Sequence, residues 1–583
     1  MATFAQLMLN SKLPSDYQLS GNVDKSMVYK SLTGMAKDYP DKYSDYVQHV
    51  KQVGDFFSTN EGITVGLEDI EPNYKARDQI ISAAKKDLGK LKTYSARQKR
   101  ILKAQAEGID LAKKHPGSLT KMTLSGGRGS YGQLVKTLVS PITVKGPGDV
   151  PTDFLMTKSY SEGVKPAEFW MGASEARREA ARGNLATALP GDSAKQLAST
   201  LNKVVINEKD CGTTNGILMD TNDSNILGRY TAGDNILVTE SYLLELSRKK
   251  IKKIKVRSPM TCEAQPGVCQ MCYGLDAHRK PLDIGTNYGI RVAQALSEPL
   301  TQMVLSSKHG GNMAKIDGSL PSGMEGFRQI MDIPKIFKNE ATLSTVEGRV
   351  TKIDKLPHGG YNVFIGSTKH FVNPGRKLLV TRGSYVGKGE ALTDGVPNPK
   401  NVTDLRGLGS GRKYLLDTLH GVYQDSGVNM DKRHLETLVR EDLNYVKVTK
   451  SDPNGEYIKH DIVPFNQIRA NIKKTAKNTP FSPKIKGQTL GQDYLHFTAG
   501  TEITPEVYSA IKEDKPKSLL VSSDGPAYKP IMTSLERVPT MSKDIIGRLG
   551  HRRLKDTITE GATKSYSSDI TESPLTDYIF GLF

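Results

Sequence analysis

Three of the four cysteines in this chain fall within eleven residues, as Cys262, Cys269 and Cys272 in a C-x6-C-x2-C spacing; the fourth, Cys211, lies 50 intervening residues upstream. Two thiolates separated by two residues in Gly267-Val268-Cys269-Gln270-Met271-Cys272-Tyr273-Gly274 can turn toward one metal ion. A structural zinc takes four soft ligands in a tetrahedron with no open position. The quartet uses every cysteine present, so it predicts a structural zinc that staples distant segments, ahead of isolated buried thiols or a redox pair. A catalytic zinc is disfavoured, because a four-thiolate shell leaves no site for water. So few cysteines cannot form a disulfide scaffold, which fits a reducing compartment.

A chain of 583 residues is long enough for about two to four units with their own cores. No apolar run reaches the roughly 18 residues a membrane-spanning helix needs, and Met1-Ala2-Thr3-Phe4 does not begin a secretory signal. Lys and Arg exceed Asp and Glu by 81 to 63, a formal charge of +18. That balance points to a polyanionic partner, although basic proteins also bind other proteins or simply stay soluble.

Composition divides the chain further. Residues 73–114 are rich in Ala, Lys, Gln and Leu, which predicts one or two long, largely exposed helices, either a projecting hairpin or a packed surface pair. Ser125-Gly126-Gly127-Arg128-Gly129-Ser130 is a glycine-rich loop that either turns the chain or cradles a phosphate. Pro166 suits the first turn of a helix that runs to about Asn202, with a kink expected at Pro190-Gly191. Its small side chains allow close approach by another helix or by a nucleic-acid duplex. A second Ala/Leu/Gln-rich helical segment covers 285–310, strands separated by Gly and Pro turns cover 341–396, and helices return over Arg412–Tyr445. Residues 451–500 are polar, basic and poorly patterned.

Several segments resemble, in order, the C-terminal portion of the beta-prime subunit of multisubunit DNA-directed RNA polymerases. Asp210-Cys211-Gly212-Thr213 and Val256-Arg257-Ser258-Pro259-Met260-Thr261-Cys262 are similar to its zinc-binding segments. Gly289-Ile290-Arg291-Val292-Ala293-Gln294-Ala295-Leu296-Ser297-Glu298-Pro299-Leu300-Thr301-Gln302 is similar to the helix entering its trigger loop. The loop from Ser125 to Ser130 and Ser159-Tyr160-Ser161-Glu162-Gly163 resemble the approach to its bridge helix, and Asp431-Lys432-Arg433-His434-Leu435-Glu436 matches further downstream.

The resemblance implies a mixed α+β, multidomain chain. Its parts are an N-terminal segment near the secondary channel (1–75), an exposed, rim-like helical hairpin (76–116) and a Gly-rich active-site approach (117–165). A long bridge helix (166–203), a zinc-binding region (204–284) and the trigger loop with a switch-like segment (285–335) follow. A beta-rich module (336–400), a helical clamp or jaw-proximal region (401–450) and a C-terminal region packing on partner subunits (451–583) complete it. By the same resemblance, His309, Gln302, Leu305 and Lys308 serve templated nucleotidyl transfer, His309 by proton donation or by positioning. Gly310 and Gly311 form a hinge; Thr187 and Ala188 touch the nascent base pair. Arg128, Arg177 and Arg178 face nucleic-acid phosphates, or partner carboxylates in the case of Arg177 and Arg178.

The family pattern is not complete. Leu305 and Ser306 stand where it has Met-Arg, Glu179, Arg182 and Gly183 replace its Gly-x-x-Asp-Thr positions, and Asp192 replaces an aromatic. These departures suggest a bacteriophage enzyme working in the cytoplasm of a bacterial host, or packaged in the virion. No Asp-x-Asp-x-Asp occurs in the sequence, so the catalytic Mg2+ is expected on a separate beta-prime N-terminal chain, and the opening Met before a mid-subunit segment suggests a split subunit. Expected partners are that chain, beta-type subunits, a promoter-specificity subunit, DNA template, nascent RNA and nucleoside triphosphates, with no membrane. The rival reading is a zinc-bearing, nucleic-acid-binding scaffold subunit without a catalytic role.

Overall fold

The computed structural model describes residues 3–144, 152, 154–185, 188–265, 267–309, 320–321, 323–357, 359–451, 456–514, 516–522, 527–542, 548 and 554–564. They form two compact units, one of Met1–Thr187 with Leu305–Asp317, the other of Ala188–Val304 with Gly318–Phe583. Among the described residues, no helix is long and apolar enough to cross a membrane.

The first unit is helical: α1 (Phe4–Asn10), α2 (Lys25–Asp38), α3 (Tyr43–Asn60), α4 (Tyr74–Leu88), α5 (Tyr94–Lys113), α6 (Ser118–Leu124), α7 (Tyr131–Leu138) and α8 (Pro166–Leu185). Asn73 and Thr93 cap α4 and α5 with side-chain oxygens. Ile81, Ala84 and Leu88 recur at helical spacing and meet Ile101, Ala104 and Ile142 in a buried cluster. Ala112 of α5 joins Leu134, Val135, Leu138 and Val139 of the α7 region in another. The expected hairpin is a packed surface pair, exposed over much of its length but with an inner stripe of Ile81, Ala84, Leu88, Ile101 and Ala104 buried. Ahead of α8, the Glu162 side chain is 8% exposed and takes hydrogen bonds from Arg77, Lys158 and Ser159. Burial opposes ionisation of Glu162, but these donors outweigh it and bring its pKa down to about 2.

The second unit begins with α9 (Ala188–Leu201), so Pro190 lies in a first turn, where a missing N–H costs nothing. Residues 186–187, through which the sequence reading runs one long helix, lie outside the described residues. Antiparallel strands β1 (Ile217–Asp220) and β2 (Lys253–Val256) flank α10 (Glu240–Arg248), and the short α11 (Gln270–Tyr273) leads to α12 (Tyr288–His309) and α13 (Gly323–Met331). The N-terminal end of α12 abuts the chain just after α9. Gly289 N–H donates to the Val204 carbonyl at 2.8 Å, and a Cβ at 289 would lie 1.8 Å from the Leu201 oxygen.

The expected beta-rich module is a four-stranded antiparallel sheet. It contains β3 (Gly348–Lys355), β4 (Tyr361–Ile365), β5 (Thr368–Val372) and β6 (Tyr385–Val386), in the order β5-β4-β3-β6, over a core of Val350, Val363, Ile365, Val372, Val386 and Leu392. Helices α14 (Pro399–Arg406), α15 (Leu408–Asp425) and α16 (Lys432–Asp442) follow, with α15 and α16 buried along much of their length.

Beyond them, β7 (Tyr445–Lys450), β8 (Ile462–Pro464), α17 (Phe465–Lys474), β9 (Lys477–Pro480), β10 (Thr489–Leu490), α18 (Pro505–Lys512), β11 (Ser518–Ser522) and β12 (Ala527–Pro530) build two three-stranded sheets. The described residues end with α19 (Leu554–Lys564). Ile485, Leu490, Phe497, Ile503, Val507, Ile511, Leu519 and Val521 form a core there. The stretch that reads as poorly patterned is accordingly folded.

Two ion pairs yield stability predictions. Arg229 and Glu436 are fully buried and paired through two hydrogen bonds of 2.9 and 2.7 Å. Glu436→Gln leaves a buried guanidinium without its counter-charge and is expected to destabilise the second unit by about 3–5 kcal/mol, read from denaturant unfolding. Glu162 contributes fully above its ordinary value of 4.5, and that contribution disappears as pH falls toward about 2. Melting of the first unit should therefore weaken across that window in the wild type and less steeply in Glu162→Gln.

Candidate functional site

The four cysteines converge in the second unit from three turns. Cys211 follows Asp210, whose Oδ1 accepts from the Gly212 N–H at 2.9 Å. Cys262 closes a turn over Pro259–Thr261 that starts where the Ser258 hydroxyl accepts from Met260 N–H. Cys269 caps α11, its sulfur accepting from the Cys272 N–H at 3.4 Å, while its own N–H donates to the Cys262 sulfur at 3.4 Å. Gly267 makes this closeness possible, since its φ is +89° and a Cβ there would lie 1.9 Å from the Val205 carbonyl oxygen.

Sulfur separations are 3.7 Å for Cys211–Cys272 and Cys211–Cys262 and 3.8 Å for Cys262–Cys269, and all four sulfurs lie within 4.8 Å of one another. A tetrahedron with zinc–sulfur bonds of about 2.3 Å has edges of about 3.8 Å. The quartet therefore has the size and donor type that structural zinc requires, and no pair is joined as a disulfide.

Charged residues brace this cluster. The buried Arg257 places Nη2 3.4 Å from the Cys211 sulfur, 3.8 Å from the Cys269 sulfur and 2.5 Å from Asp210, whose carboxyl it holds below the usual range. Four thiolates around a divalent ion carry a net charge of −2, which a guanidinium at this distance offsets. From α16, Arg440 donates to the carbonyls of Gly267 at 2.7 Å and Ala264 at 3.0 Å. Glu436 takes the Ser258 hydroxyl at 2.6 Å as well as Arg229. Reasoning from sequence gave none of these five charged residues a role. Val256-Arg257-Ser258 sits beside Cys262, the one signal that could have drawn attention to Arg257.

The remaining predicted residues lie on separate elements. Arg128 is exposed in the loop between α6 and α7; its N–H bonds the Met122 carbonyl at 3.2 Å, and Ser130 and Gln133 form a capping box for α7. On this geometry the glycine-rich loop is a helix-to-helix turn that leaves the Arg128 side chain in solvent. On α8, Arg177 is exposed and Arg178 half-buried. Ala188 is the first residue of α9 and exposed; Thr187, Gly310 and Gly311 lie outside the described residues. Gln302 is exposed on α12, its amide 3.4 Å from Glu298. Leu305, Lys308 and His309 belong to the end of that helix, and their side chains lie outside the described residues.

Comparison with known proteins locates this arrangement. Residues 163–359, which contain α8, α9, α12 and all four cysteines, match the family model described as RNA polymerase Rpb1, domain 5. The chain is 26% identical to the DNA-directed RNA polymerase subunit beta' of Kocuria rhizophila, over 89% of this chain and 44% of that protein. It is 27% identical to the same subunit of Caldicellulosiruptor saccharolyticus, over 79% and 44%, and 26% identical to that of Clostridium tetani, over 82% and 47%. The chain thus spans less than half the length of these curated relatives.

Cys269→Ser tests the metal centre. Atomic emission on the purified wild type should give about one zinc per chain and on the variant clearly less, with a lower melting temperature, since structural zinc adds folding energy.

Proposed function

Since the chain is a relative of the beta-prime subunit of DNA-directed RNA polymerases, we propose that it forms the C-terminal beta-prime portion of a multisubunit enzyme that makes RNA on a DNA template. The observation that carries this reading is the extent of the relationship, which runs along 89% of the chain. In the reaction, the RNA 3′-hydroxyl attacks the α-phosphate of a bound nucleoside triphosphate, and pyrophosphate leaves. Divalent metal supplies charge stabilisation in such transfers, but the sequence has no Asp-x-Asp-x-Asp to hold it. Those carboxylates come from outside these 583 residues.

The chain's own contribution is positioning. Helix α12 carries Gln302, Leu305, Lys308 and His309 to the triphosphate, with Gly310 and Gly311 as the permissive backbone beyond it. His309 gives a hydrogen bond or proton to the departing phosphates, Lys308 reaches the triphosphate, and closure of this segment excludes water. Helices α8 and α9 act as the bridge element, with Thr187 and Ala188 against the nascent base pair and Arg177 and Arg178 toward phosphates. The four cysteines hold structural zinc.

We assign the assembly a beta-type subunit, a promoter-specificity subunit, DNA, RNA and nucleoside triphosphates as partners. The departures at Leu305, Ser306, Glu179, Arg182, Gly183 and Asp192 support a bacteriophage origin within a bacterial host.

The test is templated nucleotide incorporation by the native assembly. His309→Ala should assemble normally and slow single-nucleotide addition by roughly 10- to 1,000-fold. An unchanged rate removes His309 from the chemistry. An intact zinc-loaded assembly that binds DNA but adds no nucleotide favours a scaffold role.

A further inference from the structure

Pro299 interrupts the hydrogen-bond ladder of α12. It has no N–H for the carbonyl four residues earlier, that of Ala295, and its ring crowds the preceding turn, to which Leu296 belongs. Among the described residues, one group from outside the helix hydrogen-bonds this turn. Tyr423 of α15, with 0% of its surface exposed, donates its hydroxyl to the Leu296 carbonyl at 2.9 Å. Nothing in packing requires a hydroxyl there, since a phenyl ring fills the same space.

The same ring touches a second helix. Phe327 of α13 meets it edge to face, with centroids 6.5 Å apart and planes at 76°. Around this contact the backbone fits closely. A Cβ at Gly326 would lie 1.9 Å from the Pro321 carbonyl oxygen and 3.5 Å from Val422, and one at Gly323 would lie 3.6 Å from Met303 of α12. Tyr423 therefore stands between α12 and α13, the helices that precede and follow the segment beyond His309. Its hydroxyl is bonded one turn before the helix half that carries Gln302.

We propose that Tyr423 is a positioning residue, whose hydroxyl stiffens α12 at the Pro299 turn and so fixes the aim of residues 300–304, Gln302 among them. As far as reaction rate is concerned, this rests on the polymerase reading; the stiffness of the helix does not.

Tyr423→Phe keeps the ring and removes only the hydroxyl. In the full chain, hydrogen exchange of the α12 amides from Leu300 to Met303 should quicken about 3- to 10-fold, the equivalent of one neutral hydrogen bond, with the melting temperature little changed. In the assembled enzyme, the maximal rate of nucleotide addition should fall by a similar factor, while the nucleotide concentration for half-maximal rate stays near the wild-type value. Pro299→Ala restores the Ala295 hydrogen bond and relieves the crowding at this turn, so adding Tyr423→Phe in that background should have a clearly smaller effect on both readouts.

Unchanged exchange in Tyr423→Phe, or an equal loss in both backgrounds, overturns the proposal, because a merely structural tyrosine would not distinguish them. An assembly whose wild-type form adds no nucleotide overturns the polymerase reading instead, and exchange then decides the role of the hydroxyl.

Discussion

At the centre of the second unit, the Arg229 guanidinium and the Glu436 carboxylate face each other with both side chains wholly out of solvent. Removing two charges from water is costly, and further hydrogen bonds offset it: Ser258 donates to the same carboxylate, and Arg229 also reaches the Asn225 and Arg257 carbonyls. Ser258 starts the turn that ends at Cys262, so the pair fixes one cysteine directly. One turn along α16, Arg440 fixes the carbonyls that bracket the loop before Cys269. The metal-sized gap between four sulfurs is thus framed by charge on α16 and Arg257 as much as by the cysteines themselves.

That frame extends toward α12. Tyr273, next to Cys272, packs on Tyr288 at the start of α12 with ring centroids 4.5 Å apart, and Arg433 of α16 lies over Tyr273. Gly289 then brings the α12 backbone against the chain leaving α9. The cysteine cluster therefore anchors the root of the helix whose far end carries the residues assigned to chemistry.

What the sequence made legible follows from range. Cys269 and Cys272 announce themselves because thiols with two residues between them at a glycine turn have few other uses, and α12 is visible in its richness in Ala, Leu and Gln despite Pro299. Strand segments such as Gly348–Lys355 stand out because Gly and Pro punctuate them. The module after residue 451 does not, since its strands are two to five residues long and its core gathers Ile485, Phe497 and Leu519 from positions with no shared period. The packed face of the α4–α5 hairpin was hidden by the lysines on its other face. Contacts such as Arg229–Glu436 and Tyr423–Leu296 have no local signature, because their partners are 207 and 127 residues apart.

That separation also bears on how the chain is made. Arg229 leaves the ribosome 207 residues before its only charged partner in the pair. At bacterial and eukaryotic synthesis speeds of about 5–20 residues per second, the wait is roughly 10–40 s. All four cysteines have emerged before that interval ends, since Cys211 precedes Arg229 and Cys272 precedes Glu436 by 164 positions. The nascent chain thus presents a complete set of thiols before the helix that braces them exists. Early metal capture would hold these turns in register and shield reactive sulfur until α16 arrives to seal them.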